Sequence, residues 1–350
     1  MRHKSIAKGK PVVKLNSTRE KLFKKIISEP GNTPLIELNG VAPNGNRIFV
    51  KLEYDNPTGS HYARVYPLLL SALEKTGISP SSHVLVETSS GNATVAFAHY
   101  AKILGYKTIA FMPRELSRRR LAATRKEGAI VVLSRKGSLP FVAGARDRLV
   151  EALLENKMAR EKNPGVKKFF SPNHSQVIET LAAIKPLAKE VRDELKAKKV
   201  KLDYFLPVAG NGTIAYGVGR PIKKYFPKAK IIAVEPFERP VLYPLVFPGK
   251  YEKKFGERPG LKDFKGKEFF MPGSGAIGID FPHLHSAAKI TSDIFLVRKK
   301  EWKSAQKKLA KLGFNVGQTS AASFSAAMRL AKKVKKKNLL IIFYDKSDRY

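Results

Sequence analysis

Cysteine is absent from this sequence, and its absence excludes several kinds of chemistry. Without thiols the chain forms no disulfide bond, no thiolate metal site and no cysteine nucleophile. The seven histidines show no metal-binding constellation, and we predict no metal site. Long apolar runs are also missing: the densest, residues 339–344, falls far short of the ~20 residues of a membrane helix. We therefore expect a cytoplasmic protein that does not bind a membrane.

Acidic residues are scarce relative to basic ones. Lys and Arg number 66 against 29 Asp and Glu, which gives a formal net charge of +37 at pH 7. A field of this sign attracts polyanions and opposes association between copies of the chain. A metabolic enzyme gains nothing evident from such a field, whereas cations that bind a phosphate backbone release its condensed counterions. We therefore predict RNA as the partner, in preference to DNA, with the ribosome as the densest RNA polyanion.

The basic residues occur in clusters, and a solvated helix face would explain any one cluster alone. Taken together, the clusters lack the interspersed acidic residues of an ordinary surface. No base-reading motif is present, so the predicted contacts are to the RNA backbone. They are Arg2, Lys4, Lys8, Lys10 and Lys14 in a basic N-terminal arm (residues 1–25), then Arg118, Arg119 and Arg120, and finally Lys335, Lys336 and Lys337. We expect the arm to become ordered only on RNA.

From residue 46 onward, β-rich runs alternate with helical patterns, which is typical of an α/β fold with parallel sheets flanked by helices. The length of 350 residues suggests two domains. Predicted strands are 47–52, 83–87, 108–112, 130–133, 204–208, 231–235, 294–297 and 339–344. Predicted helices are 66–76, 93–104, 116–126, 141–156, 176–199, 213–225, 299–312 and 322–334.

Short motifs follow one another along the chain: GNTPL at 31–35, NPTGS at 56–60, SSGN at 89–92, AGNGT at 209–213 and GQTSAA at 317–322. In this order and spacing they resemble the cysteine synthase and cystathionine beta-synthase family of pyridoxal-phosphate (PLP) enzymes. The resemblance implies the two-domain, fold-type II architecture, which is tryptophan synthase beta-like and holds PLP in the cleft between its domains. By this resemblance residues 46–150 form the smaller α/β domain, and residues 1–45 and 151–350 form the larger one.

The resemblance also identifies the position where the family's chemistry begins. In the family the NPTGS segment continues x-Lys-Asp-Arg, and that lysine forms the Schiff base with PLP. Here the continuation is His61-Tyr62-Ala63-Arg64, which puts Tyr62 at the lysine position. A phenol cannot form an imine, so we expect no catalytic residue and no bound cofactor. We favour a packing role for His61 and Tyr62 over a new catalytic pair.

At other positions of the motifs, this sequence matches the family's residue in some cases and differs from it in others. Asn92 matches a residue that contacts the pyridine hydroxyl, and with Ser89 and Ser90 it matches the loop that binds the substrate carboxylate. Gly210, Asn211, Gly212 and Thr213 replace the glycine-rich loop that holds the cofactor phosphate. This segment either presents N–H groups to an anion or forms a tight strand-to-helix turn. Asp345 replaces the serine expected opposite the pyridine nitrogen.

Three functions follow from these residues. The first is a non-catalytic, RNA-binding pseudoenzyme built on the family scaffold and associated with the ribosome. The second is a working PLP-dependent lyase or synthase in which another lysine enters the site, with Lys346 as the candidate. The third is an inactive regulatory subunit that pairs with an active relative. Family members commonly dimerise, so a homodimer or a pair with a relative is a further expectation, although the charge opposes self-association.

Overall fold

The structure is a computed structural model that describes residues 3–136, 142–256, 271, 273–274 and 279–349. The chain divides into two units. Unit 1 consists mainly of Gly31–Gly59 and Ile184–Asp348, and unit 2 consists mainly of His3–Pro30 and Ser60–Ala183. In the part of the chain that is described, no helix is both long and apolar enough to cross a membrane.

The described strands and helices alternate along most of the chain. The strands are β1 (Leu35–Glu37), β2 (Arg47–Leu52), β3 (His83–Thr88), β4 (Thr108–Met112), β5 (Ile130–Leu133), β6 (Lys168–Phe170), β7 (Tyr204–Phe205), β8 (Lys230–Pro236), β9 (Thr291–Val297) and β10 (Asn338–Phe343). The helices are α1 (Ser17–Ser28), α2 (Tyr62–Glu74), α3 (Asn92–Ile103), α4 (Arg118–Lys126), α5 (Val142–Lys162), α6 (Ile178–Ala197), α7 (Thr213–Gly217), α8 (Gly219–Tyr225), α9 (Tyr243–Val246), α10 (Lys250–Phe255), α11 (Pro282–Ala288), α12 (Lys299–Lys311) and α13 (Gln318–Ala331). Glu53–Asp55 and Ser347–Arg349 form 3-10 turns.

Unit 1 is built on a six-stranded sheet in the order β1-β2-β10-β7-β8-β9. The strands are parallel except β1, which pairs antiparallel with β2 at one edge. The central strand β10 reads NLLIIF, and its five apolar residues are fully buried. A continuous apolar run of this kind is what a parallel strand covered on both faces requires.

Unit 2 is built on a four-stranded parallel sheet in the order β5-β4-β3-β6. Its main hydrophobic cluster joins α2 and α3 and includes the fully buried Tyr66, Leu69, Phe97 and Tyr100. The predicted α/β class, with parallel sheets flanked by helices, is confirmed in both units.

The predicted elements differ from the observed ones mainly where elements are short. Strands 47–52, 108–112 and 130–133 match β2, β4 and β5 in full. The predictions lack the helices α1, α9, α10 and α11 and the strands β1 and β6. Each of these two strands has three residues, too few to show an alternating pattern. The predicted helix 213–225 is divided at Val218 into α7 and α8.

The two observed units have boundaries different from the predicted 46–150 and its complement. Strand β2 pairs with β10, so the segment up to Gly59 lies in unit 1. Conversely, β6 pairs with β3, so residues 151–183 lie in unit 2. Strand pairing between distant parts of the chain sets these limits, and local composition carries no signal for it.

The N-terminal arm contradicts the expectation that it becomes ordered only on RNA. Lys4 donates its N–H to the Gln176 carbonyl (3.2 Å) and accepts the Ile178 N–H (2.9 Å). Ile6 is buried, and its N–H donates to Glu179 Oε1 (2.9 Å). The end of the arm is α1, whose apolar face is buried in unit 2. The described part of the arm is therefore folded onto unit 2.

Glu235, near the end of β8, is a fully buried carboxylate. Its Oε1 accepts the N–H groups of Val241 (2.7 Å) and Leu242 (2.8 Å), and its Oε2 accepts that of Tyr243 (2.8 Å). Burial raises the pKa of Glu235 to about 7, although these three N–H donors act in the opposite direction. Glu235 thus fixes the segment that leads into α9.

The raised pKa predicts a pH-dependent stability difference between the native chain and Glu235→Gln. The stability that the protonated carboxyl contributes is complete below its ordinary pKa of 4.5 and is lost as the pH rises through about 7. The interval between these values corresponds to about 3 kcal/mol. Denaturant unfolding at pH 4.5 and pH 8 should show Glu235→Gln gaining up to that amount relative to the native chain. Glu115→Gln, at an exposed carboxylate, is the control; equal pH dependence of both variants would contradict the buried acid.

Candidate functional site

Tyr62, aligned above with the family's lysine, begins α2 in unit 2. Its ring stands edge-on to His174, with centroids 5.3 Å apart, and lies against His61 with centroids 4.2 Å apart. Burial, helped by the negative charge of Glu87, raises the pKa of the Tyr62 phenol well above its ordinary value. The phenol therefore stays protonated at neutral pH.

A buried polar network lies beside Tyr62. The Tyr66 hydroxyl is 3.1 Å from His174 Nδ1 and 3.4 Å from Glu87 Oε2, and the latter two atoms are 3.2 Å apart. Glu87 Oε2 also accepts the His174 N–H (3.2 Å). Burial raises the pKa of Tyr66 as well. This network was not predicted from the sequence. Glu87 is the one signal for it, since a carboxylate in the apolar strand β3 needs a buried partner.

The 89–92 loop connects β3 to α3, and an arginine covers it. Ser89 Oγ accepts the Gly91 N–H (3.3 Å), and Arg120 Nη1 donates to the Ser90 carbonyl (2.6 Å). Gly91 has φ +145, and a Cβ built on it would lie 2.6 Å from Arg120 Nη1. Asn92 begins α3 and is half-buried. The loop that the resemblance assigns to a substrate carboxylate therefore lies against a buried cation of its own unit.

The 209–213 loop, in unit 1, uses its polar groups internally. Asn211 Oδ1 accepts the Thr213 N–H (3.0 Å), and the Thr213 hydroxyl is 3.1 Å from His283 Nδ1. Gly212 has φ +88, and a Cβ on it would lie 2.5 Å from the His283 carbonyl carbon. The backbone of Gly273 lies against Gly210 in the same way. The turn is thus closely covered by its own chain.

Asp345 and Lys346 follow β10 in unit 1 and differ in exposure. Asp345 is fully buried, and its backbone carbonyl accepts the Gly317 N–H (2.9 Å). Lys346 is exposed, with Nζ 5.2 Å from the centroid of the Tyr54 ring.

A second lysine, Lys51 in β2, is fully buried. Its Nζ donates to the Thr33 carbonyl and forms ion pairs with Glu190 (3.0 Å) and Glu194 (2.7 Å). A buried lysine needs ion-pair and hydrogen-bond partners, and these two carboxylates and the carbonyl provide them. Lys51 therefore serves the fold of unit 1.

The predicted nucleic-acid contacts are exposed with two exceptions among the described residues. Arg120 is buried with 3% of its surface exposed, so its prediction as a contact is wrong. Lys337 is half-buried and pairs with Asp203 (3.2 Å). Arg2 lies outside the described residues. The exposed ones are Lys4, Lys8, Lys10, Lys14, Arg118, Arg119, Lys335 and Lys336. Residues 3–136, 142–256, 271, 273–274 and 279–349 contain no group of three acidic or histidine side chains placed to hold a metal ion.

A family model described as pyridoxal-phosphate dependent enzyme matches residues 26–345. The chain belongs to this family. Cysteine synthase of Staphylococcus aureus is 27% identical, over 91% of this chain and 93% of that protein. The solved structure of a cysteine synthase from Entamoeba histolytica has a TM-score of 0.74 and 26% identity, covering 97% of this chain and 92% of its own. A hydrogen sulfide-producing enzyme from Fusobacterium nucleatum has a TM-score of 0.75 and 25% identity, covering 93% and 98%.

These similarities confirm the resemblance to the cysteine synthase branch and its fold-type II architecture. Within the family frame, the residues assigned to cofactor and substrate are divided between the units. Tyr62 and the 89–92 loop belong to unit 2, whereas the 209–213 loop and Asp345 belong to unit 1. The polar contacts given above for these residues join partners within one unit.

Proposed function

We propose that this protein is a non-catalytic member of the cysteine synthase branch that binds RNA, with the ribosome as its main target. The observation that carries the proposal is a tyrosine at the position of the family's lysine in a chain of net charge +37. The tyrosine takes the place of the reactive amine, and the net positive charge favours an RNA partner.

Several contacts support the loss of PLP chemistry, because the residues present do not fit a lysine-bound PLP. Tyr62 offers a protonated phenol where the cofactor aldehyde needs an amine. In the phosphate loop, the Asn211 side chain accepts the Thr213 N–H that an anion would use. The Thr213 hydroxyl is engaged by His283.

Two lysines of unit 1, Lys51 and Lys346, are candidates to replace the missing amine. Lys51 is buried and held by the carboxylates of Glu190 and Glu194, and moving its amine would break both ion pairs. Lys346 is exposed and lies over Tyr54, whereas the adjacent Asp345 is buried. Neither geometry favours a working enzyme with a substitute lysine.

The exposed cations support RNA as the partner. Lys8, Lys10 and Lys14 lie on the folded N-terminal arm, and Arg118 and Arg119 begin α4. Side chains of this kind bind phosphates without reading bases. The dominant contribution to affinity would then be counterion release.

We expect no imine-linked PLP in the protein as purified. Borohydride reduction followed by intact-mass measurement should show the unmodified chain, because a phenol forms no imine. An active cysteine synthase treated in parallel is the positive control. Added PLP is avoided, since an excess would label surface lysines. A reduced pyridoxyl adduct would contradict the proposal, and mapping it to Lys346 would establish the substitute-lysine enzyme.

Tyr62→Lys alone should not restore cysteine formation from O-acetylserine and sulfide. A nucleophile works only when its surroundings position it, and Asn211 and Asp345 still differ from the family pattern. Thermal unfolding of Tyr62→Lys beside Tyr62→Phe checks that the lysine variant is folded. Turnover by a folded single variant would show that the site has kept the rest of its machinery.

RNA binding should weaken steeply with salt, by about 0.7–0.9 log units per log unit of salt for each phosphate contacted. Replacing Lys8, Lys10 and Lys14 by Gln should lower that slope without changing sequence preference. Substitution is preferable to truncation, because Ile6 and α1 are packed into unit 2.

Salt titrations with structured RNA, alongside cosedimentation with ribosomes, provide the measurement. Lys157→Gln with Lys162→Gln, two exposed lysines of α5, is the matched control. The absence of binding near physiological salt, together with no cosedimentation, would overturn the proposed function.

A further inference from the structure

An aromatic cluster follows β8 in unit 1. Tyr251 of α10 is buried, and its hydroxyl donates to the Phe237 carbonyl (2.8 Å), which ties α10 to the end of the strand. Phe255 stands T-shaped to Phe237 with centroids 4.7 Å apart, and Tyr243 packs on Phe247 at 5.1 Å. Phe247 and Phe255 are half-buried, so each keeps an accessible part. An anchored scaffold thus holds two partly exposed rings.

Exposed lysines lie over both of these rings. Lys250 Nζ is 4.9 Å from the Phe247 centroid, and Lys254 Nζ is 5.4 Å from the Phe255 centroid. A lysine side chain is flexible, so its ammonium group can leave the ring face and still reach an anion beside the ring. Each ring and its lysine therefore offer a stacking surface next to a mobile positive charge.

Two arginines also lie over aromatic rings of this region. Arg298 lies over Phe237 at 3.3 Å, and Arg329 lies over Phe295 at 5.1 Å. The Arg329 guanidinium also donates to Glu301 Oε1 (3.2 Å), and the backbone N–H of Arg298 donates to Glu301 Oε2 (2.7 Å). Glu301 thus neutralises part of the charge, holds the Arg329 side chain and fixes the backbone of Arg298.

With the exception of Tyr251, these side chains line a cavity of about 590 Å³, which we call the aromatic–basic cavity. Its volume is that of a typical small-ligand site. Its lining has five basic against two acidic side chains, an excess of three positive charges. The basic ones are Lys250, Lys254, Arg298, Arg329 and Lys333.

We propose that the aromatic–basic cavity binds a nucleotide unit of single-stranded RNA, with its base stacked on Phe247 or Phe255 and its phosphate on Lys250 or Lys254. A flat, largely apolar group is complementary to the half-exposed rings, and an anion is complementary to the cations. A nucleotide carries both within one unit, whereas an acidic peptide would satisfy the cations and leave the ring faces uncovered. Aromatic platforms beside positive charge are the means by which proteins hold unpaired bases.

This inference rests on the proposed function for the polymer, since a free mononucleotide has the same chemistry. It adds a preference that phosphate contacts alone do not give, because the bases of a duplex are stacked on one another and unavailable to a protein ring. The cavity should therefore distinguish single strands from duplexes.

The test uses the full chain, a fluorescein-labelled single-stranded 12-mer of RNA, and a duplex of the same length at one salt concentration. Phe247→Leu and Phe255→Leu keep an apolar side chain but remove the aromatic face. Each should weaken single-strand binding about five- to tenfold, the lower part of the range for one stacked base, and leave duplex binding unchanged. Lys250→Gln with Lys254→Gln should weaken single-strand binding further than the matched pair Lys157→Gln with Lys162→Gln.

Photo-crosslinking of a 4-thiouridine 12-mer to the native chain gives a readout that depends on no variant. Crosslinks mapped to residues 237–255, or to the lining residues of 293–301 and 329–333, support the cavity, and crosslinks confined to other segments overturn it. Native binding to both RNA forms with no effect of the phenylalanine variants rejects the cavity and leaves the proposed function standing. Absence of any RNA binding rejects the proposed function itself, and AMP binding that the phenylalanine variants abolish would then assign the cavity to a free nucleotide.

Discussion

The parallel pairing of β2 with β10 is the interaction on which unit 1 depends. It joins strands from opposite ends of the chain in six aligned residue pairs, and most of their side chains are buried. Along the sequence, the segment that separates these two strands includes most of unit 2. The loop-closure entropy of such distant pairing is unfavourable, and continuous apolar burial on both faces of the strands offsets it.

Buried charges in the described part of the scaffold are held by neighbouring groups of the same unit. Lys51 is neutralised by two glutamates, and Arg120 donates to a loop carbonyl. Glu235 accepts three backbone N–H groups, and Glu87 lies against Tyr66 and His174. A buried charge without a partner is strongly destabilising, so each of these groups has become a requirement of the fold.

The sequence allowed the architecture to be predicted because its signals are local and periodic. The apolar run of β10 and the ordered motifs indicate a family scaffold without knowledge of any contact. Short edge strands such as β6, and the docking of the N-terminal arm, depend on partners far away in the chain. Arg120 shows the same limit within the site, because its sequence neighbours Arg118 and Arg119 are exposed and only its helix position turns it inward.

The aromatic–basic cavity escaped sequence reasoning for a related reason, since its residues come from α9, α10, β9, α12 and α13. Its lysines resemble any solvated cluster until the rings beneath them are located.

In the 89–92 loop, the contact of Arg120 with Gly91 links substitutions at these two positions. A side chain at Gly91 would collide with the guanidinium, so Arg120 would have to move or be replaced, and either change would leave the Ser90 carbonyl without this donor. Gly91 and Arg120 are therefore expected to vary together in evolution rather than one at a time.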